Sequence, residues 1–174
     1  MPDVGERVEG RSLTTISGED VHVPAPDGLV HLQFRRFAGC PICNLHVREI
    51  ARRHDEIRAA GITEIVVFHS AADELRRYQS ELPFAVVADP KRKLYREFGV
   101  ESSIRSVLHP RAWRAAVRGM RGASVAGAIA PRENHFGKPA DFLIGSDGSV
   151  LARKYGAHAD DQWTVDEMLH QAAV

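Results

Sequence analysis

Residues 30–44, VHLQFRRFAGCPICN, contain the two cysteines of the chain, Cys40 and Cys43. The first half of the stretch alternates apolar and polar residues, which favours a β-strand. The second half suits the start of a helix, because Pro41 at a first helical position loses no hydrogen bond. Residues three apart lie on one helical face, so both sulfurs can meet there. The stretch therefore predicts a strand that leads directly into a helix carrying two neighbouring thiols.

The cysteine pair predicts redox chemistry. The positive field at a helix N-terminus favours thiolate over thiol. In dithiol exchange one thiolate attacks, a mixed disulfide forms, and the second thiol resolves it. We expect Cys40, at the helix start, to be the better exposed sulfur and the nucleophile for disulfide exchange, with solvent touching at least one of the two. The structural alternative is a pair of buried, reduced thiols that act as small hydrophobic residues.

Composition narrows the class of protein. The 23 basic and 23 acidic side chains cancel, so no overall field favours nucleic acid or an anionic membrane. No stretch approaches the roughly 18 apolar residues of a membrane span, and the charged N-terminus lacks the apolar segment of a secretory signal. The 174 residues suit one domain, 1–174. We predict a cytoplasmic protein, in which a close cysteine pair is more often reactive or metal-binding than a structural staple.

The order of the elements predicts an α/β fold with a central mixed sheet. Helices of suitable length can act as crossovers between parallel strands, whereas the late hairpin must be antiparallel. A three-layer domain follows, with an extended N-terminal extension and an inserted helix or loop over the Arg-rich residues 105–138, an insertion or lid. The predicted elements are extended segments at 13–16 and 21–23, a strand from residue 30, a helix over 41–60, a strand at 65–68, a helix capped by Ser70 that reaches about residue 82, a strand at 84–88, a helix over 89–98, strands at 140–144 and 150–155, and a helix from Thr164 onward.

A C-x-x-C at a strand–helix junction resembles the thioredoxin-like superfamily. Further runs resemble its peroxiredoxin (AhpC/TSA) branch, namely IVVF at 65–68, LPFAVVADP at 82–90, LYREFGV at 94–100 and FLIGSDG at 142–148. Arg35 and Arg36 ahead of Gly-Cys-x-x-Cys are similar to the peroxiredoxin-like group whose active site carries C-x-x-C. The resemblance covers roughly residues 10–172. It implies a thioredoxin-like fold and an antioxidant thiol oxidoreductase.

The chain departs from the peroxiredoxin pattern at its motif positions. The family's P-x-x-x-T-x-x-C falls on Arg36, Cys40 and Cys43, so Arg36 replaces the proline and Cys40 the threonine. Pro139 stands where peroxiredoxins carry a later arginine and thioredoxins a cis-proline, and we expect a cis peptide there. We expect Arg36, Pro41 and Pro139 at the substrate site, although Arg36 could instead face solvent. If the substrate is a peroxide, the alignment makes Cys43 the attacking group, and Cys40 condenses with its sulfenic acid.

The predicted activity is the reduction of protein disulfides or hydroperoxides by the Cys40/Cys43 pair. We expect a thioredoxin- or glutathione-like thiol system to return the electrons and no cofactor to be needed, and a homodimer is considered. The alternative is a metal-binding or redox-sensing module without turnover. In it Cys40, Cys43 and His46 would hold zinc or copper, with His135 or His158 completing the shell. His69 is a further candidate, because it follows a buried strand at the end where α/β sites gather.

Overall fold

The computed structural model describes residues 1–100, 138–158 and 160–174. The predicted order of elements is confirmed there, while the predicted insertion or lid at 105–138 lies outside the described residues except for Lys138. None of the helices in this part of the chain is long and apolar enough to cross a membrane. The elements are β1 (Arg11–Thr14), β2 (Asp20–Val23), β3 (Leu29–Phe34), α1 (Pro41–Arg52), α2 (His54–Ala59), β4 (Ile62–Phe68), α3 (Ala72–Gln79), β5 (Ala85–Ala88), α4 (Lys93–Glu97), β6 (Ala140–Ile144), β7 (Val150–Tyr155) and α5 (Val165–Ala172).

Five strands form one mixed sheet in the order β5-β4-β3-β6-β7. Strand β4 pairs in parallel with β3 and with β5, whereas β6 runs antiparallel to β3 and to β7. Strands β1 and β2 pair separately as an antiparallel hairpin, which is the predicted N-terminal extension. The mixed sheet expected from the sequence is therefore confirmed, with β3 at its centre.

Both faces of the sheet are covered. Alternate residues of β3, including Leu32 and Phe34, pack on one face against Tyr95 and Phe98 at α4. The opposite face packs against α1, α2, α3 and α5 in two apolar clusters, one of which contains the cysteines. The side chains of β3 are consequently buried on both faces, and its C-terminal end delivers the chain into the cysteine helix.

Two helix starts differ from the sequence prediction. The predicted helix over 41–60 is interrupted at Arg53, whose φ of −106° and ψ of 17° separate α1 from α2. Ser70 does not cap α3, which begins after Ala71. The Ser70 hydroxyl instead accepts a 2.8 Å hydrogen bond from the Ala38 N–H. The prediction of a Ser70 cap is wrong because that buried backbone donor, just before the cysteines, needs an acceptor.

Two other helix ends follow the expected capping chemistry. Helix α4 is shorter than the predicted 89–98, but Asp89 stands outside it and accepts hydrogen bonds from the backbone N–H groups of Lys93 and Leu94. Thr164 begins α5 as predicted, and it forms a reciprocal capping box with Glu167.

Candidate active site

The cysteine pair lies where the chain passes from β3 into α1. Cys40 is the N-cap residue, with extended backbone angles, and Pro41 occupies the first helical position as predicted, where it is buried. The Cys43 N–H donates to Cys40 Sγ at 3.4 Å. The sulfur thus takes the place of the oxygen that a serine or aspartate N-cap would offer. This arrangement holds the two thiols on one side of the first helical turn.

Both sulfurs are buried. Cys40 is 0% exposed and Cys43 1% exposed, and both are free thiols. They pack in an apolar cluster with neighbours that include Val47 and Phe68. The prediction that Cys40 is the better exposed sulfur, with solvent touching at least one of the pair, is wrong. The N-cap geometry turns the Cys40 side chain back over the first turn rather than outward.

Arg36 lies against the pair and is itself only 4% exposed. Its Nη2 donates to Cys40 Sγ at 2.8 Å. Its charge also lowers the pKa of Cys43, and its guanidinium carbon lies 5.5 Å from the centre of the Phe37 ring. The sequence left two positions open for Arg36, one at the site and one facing solvent. In the structure its side chain is buried against a sulfur.

The two thiols ionise as a coupled pair. Burial alone would raise the pKa of Cys43, but the hydrogen bond from the Cys40 thiol and the charge of Arg36 lower it to about 6. Burial, the same hydrogen bond and the charge of Cys43 raise the pKa of Cys40 well above its ordinary value. The directions of the two shifts make Cys43 the more acidic sulfur of the pair, with the proton that the two thiols share favoured on Cys40.

A second buried cation, Arg35, lies against α1 through His46. Its guanidinium is 0% exposed and donates from Nη2 to Asp141 Oδ1 at 2.6 Å and to His46 Nε2 at 2.9 Å. Its charge also lowers the pKa of Cys43. The Tyr95 hydroxyl fixes the backbone beneath, because it contacts the carbonyl oxygens of Arg35 and Val67. Neither Arg35 nor Tyr95 was assigned a role from the sequence.

The remaining predicted residues lie around this end of the sheet. Pro139 is buried and directly precedes Ala140, which pairs with Phe34 at the end of β3. The expected cis peptide at Pro139 is wrong: within residues 1–100, 138–158 and 160–174, the cis bond precedes Pro24. An X–Pro bond favours trans by about 0.5–1 kcal/mol unless its surroundings select cis. His69 lies beside the site, where its backbone N–H donates a 3.2 Å hydrogen bond to the carbonyl oxygen of Arg36.

The alternative metal site is not assembled in the described part of the chain. His46 lies three residues beyond Cys43, but its Nε2 accepts a hydrogen bond from Arg35, and the burial of this ring together with the Arg35 charge lowers its pKa. No three His, Cys, Asp or Glu side chains among residues 1–100, 138–158 and 160–174 are grouped to hold a metal ion. His135 lies outside the described residues.

Solved structures share this architecture. Peroxidoxin BcpB from Mycobacterium tuberculosis superimposes with a TM-score of 0.71 at 14% identity, over 99% of this chain and 97% of that chain. A putative thiol:disulfide interchange protein DsbE from Chlorobium tepidum gives 0.64 at 18% identity, over 99% of both chains. A mutant of peroxiredoxin 6 of Arenicola marina gives 0.72 at 12% identity, over 99% of this chain and 73% of that one. The fold is therefore thioredoxin-like, as predicted. No curated protein sequence matches the chain.

A family model described as AhpC/TSA antioxidant enzyme matches residues 49–158, which is more than half of the chain. The chain belongs to the AhpC/TSA family. The matched segment of this AhpC/TSA protein begins after Cys43. The family assignment and the geometry of the cysteine pair are consequently two independent observations, and both agree with the resemblance carried by the sequence.

Proposed function

We propose that this AhpC/TSA protein is a thiol-dependent peroxidase in which Cys43 reduces a small hydroperoxide and Cys40 resolves the product as a disulfide. The observation that carries the proposal is the enclosed pair of neighbouring thiols with the Arg36 guanidinium against Cys40 Sγ at 2.8 Å. The hydrogen bond from the Cys40 thiol and the charges of Arg36 and Arg35 lower the pKa of Cys43 to about 6. The thiolate is the nucleophilic form of cysteine. A sulfur with a pKa of about 6 is mostly thiolate at neutral pH.

The burial of the pair favours a small substrate. A protein disulfide has to bring its own backbone up to the attacking sulfur, whereas a small hydroperoxide needs only a narrow opening. With both sulfurs 0–1% exposed, a limited local opening of the native state admits the hydroperoxide more readily. Membership of an antioxidant enzyme family agrees with this substrate class.

The chemistry balances with the groups at the site. The Cys43 thiolate attacks the terminal oxygen of the hydroperoxide, the O–O bond breaks, and the alkoxide leaves and takes a proton from solvent. Cys43 is now a neutral sulfenic acid, so the contacts from Arg36 and the Cys43 N–H can stabilise a thiolate on Cys40 instead. Cys40 gives up its proton and attacks the Cys43 sulfur, and hydroxide leaves as water. A thioredoxin- or glutathione-like thiol would return two electrons and two protons to the disulfide.

A second candidate is dithiol–disulfide exchange with a protein substrate and Cys40 as the attacking sulfur. Two contacts favour it, because Cys40 Sγ accepts from Arg36 at 2.8 Å and from the helix N–H of Cys43. Both candidates use the same pair of sulfurs and the same cellular reductant. They differ in which sulfur attacks first.

The test is titration of the reduced protein with hydrogen peroxide, followed by mass spectrometry. The unmodified chain should lose two hydrogens and form one intramolecular disulfide. The Cys40→Ser variant should instead give a sulfenic acid on Cys43 that dimedone traps, and Cys43→Ser should consume no peroxide, like the double variant that serves as control. Peroxide consumption by Cys43→Ser would overturn the proposal. Accumulation of a mixed disulfide between Cys40 of Cys43→Ser and one half of a disulfide-linked reporter peptide, with the other half released as a thiol, would support the second candidate in its place.

A further inference from the structure

A buried histidine links two carboxylates beneath α1. His31 lies on β3, with Nδ1 2.8 Å from Glu64 Oε2 and Nε2 3.1 Å from Asp141 Oδ1. A ring that presents both nitrogens to carboxylates donates from both, and is therefore an imidazolium. Burial alone would lower the pKa of His31, but the two carboxylates raise it to about 9. His31 is accordingly a buried cation at neutral pH.

Asp141 joins this imidazolium to the buried cation Arg35. Its Oδ1 lies 3.1 Å from His31 Nε2 and 2.6 Å from Arg35 Nη2. Its Oδ2 accepts a 3.1 Å hydrogen bond from the backbone N–H of Trp163. The group contains two cations, His31 and Arg35, and two anions, Glu64 and Asp141, each of them 0–1% exposed. Charges so far from water influence one another strongly, so changing one changes the field of the next.

The last member of the group, Arg35, lies against the helix that carries Cys43, and its charge lowers the pKa of that cysteine. Arg35 also donates to His46, which lies on α1 three residues beyond Cys43 and so on the same helical face. We propose that the His31–Asp141–Arg35 chain sets how much of the Arg35 charge acts on Cys43, which makes His31 and Asp141 positioning residues for the thiol pair. The inference rests on the proposed function, because it assigns a role in generating the attacking thiolate.

The proposal requires effects of opposite sign. Replacing Asp141 by Asn removes the anion that neutralises Arg35, so the pKa of Cys43 should fall. Replacing His31 by Gln removes the cation that neutralises Asp141, so the pKa of Cys43 should rise. Each shift should be about one pKa unit, a tenfold change in the thiolate fraction below the pKa. A purely structural role would weaken folding in both variants without moving the pKa of Cys43 in opposite directions.

The neutral residue Gln33 provides a matched control. Its Nε2 donates to Glu64 Oε2 at 2.7 Å, and it is as buried as the charged residues. Gln33→Met should lower stability without changing the pKa of Cys43. The other titratable groups from the elements packed around Arg35 and Cys43, which all variants keep, are Arg36 after β3, Cys40 and His46 at α1, Glu64 of β4, Tyr95 of α4 and Lys154 of β7.

The experiment measures the rate of alkylation of Cys43 by iodoacetamide as a function of pH, resolved by site with mass spectrometry. It needs no peroxide, so it separates a failure of this inference from a failure of the proposed peroxidase. The expected result is a lower pKa of Cys43 in Asp141→Asn, a higher one in His31→Gln, and no change in Gln33→Met. Shifts of the same sign in the two charge variants, or none in either, would overturn the inference.

A second measurement avoids substitutions altogether. Coupling between two sites is reciprocal, so loss of the Cys43 charge must act back on His31. Nuclear magnetic resonance of the His31 ring should show a lower pKa in the disulfide form than in the reduced form, because a nearby negative charge has gone. Identical titration of His31 in the two forms would contradict the inference even if a variant failed to fold.

Discussion

Removal of the Arg36 charge is the most direct perturbation of the thiolate on Cys43. Glutamine at this position keeps a hydrogen-bond donor near Cys40 but carries no charge. Arg36 Nη2 lies 2.8 Å from Cys40 Sγ, and its charge is, with the Cys40 thiol, a main cause of the low pKa of Cys43. A cation within about 4–6 Å lowers the pKa of an acid by about 1–3 units. We therefore expect Arg36→Gln to raise the pKa of Cys43 from about 6 to about 8.

The rate follows from the thiolate fraction. At pH 7 the thiolate would fall from about nine-tenths to about one-tenth of Cys43, so peroxide reduction and alkylation should slow about tenfold. Above about pH 9 the rates of the two proteins should converge, because both then carry the thiolate. Stopped-flow peroxide consumption and the alkylation profile of Cys43 measure this directly.

The control for Arg36→Gln lies on the same helix as Cys43. Arg52→Gln removes an arginine whose side chain is 72% exposed, and it should leave the profile unchanged because solvent screens that charge. An unchanged pKa of Cys43 in Arg36→Gln would refute the electrostatic reasoning. So would a tenfold loss that persists at high pH, since it would point to misplaced sulfurs rather than to lost charge.

Three further outcomes are expected. His31 has a folded pKa of about 9, so its stabilisation is complete below 6.5 and is lost as the pH rises from 6.5 to about 9. Urea denaturation should therefore show that the stability advantage of the unmodified protein over His31→Gln shrinks across this range, and an advantage that stays constant would count against it. Thr164→Ala removes the capping box of α5 and should lower the free energy of unfolding by about 1 kcal/mol with no change in alkylation of Cys43, whereas a change there would link α5 to the site. Because both sulfurs are buried, Ellman's reagent should react with the folded, reduced protein about a hundredfold more slowly than with the urea-unfolded chain, and equal rates would mean an exposed sulfur.

The strand–helix junction could be predicted from the sequence because its signals are local. Alternation over β3, a proline at the first helical position and the spacing of Cys40 and Cys43 each act within a few residues. The same holds for the Thr164 cap and for the hairpin of β6 and β7. The exposure of Cys40 could not be predicted in this way, because it depends on Arg36 folding back over the sulfur and on the apolar cluster that encloses both thiols.

The buried charges show where local signals end. His31 and Gln33 of β3 and Arg35, directly after it, occupy alternate positions, a pattern that ordinarily indicates one solvated face. That face is covered here, because β3 lies between β4 and β6 with α1 above it. The partner of Arg35 is Asp141, 106 positions away, and nothing near either residue in the sequence indicates the pairing. The sequence does contain one unusual feature. A histidine, a glutamine and an arginine occupy alternate positions in and directly after the strand that lies at the centre of the sheet.

The low pKa of Cys43 and the burial of both sulfurs belong together. An arginine exposed to water acts weakly on a nearby thiolate, because solvent screens its charge. Arg35 and Arg36 act strongly on the sulfurs because they are 0% and 4% exposed. Buried cations need counter-charges, which Asp141 supplies to Arg35 and the thiolate itself supplies to Arg36. A site that gains acidity in this way has to exclude water, and it therefore excludes large substrates as well. The same enclosure that lowers the pKa of Cys43 thus supports the proposed small hydroperoxide over a protein disulfide.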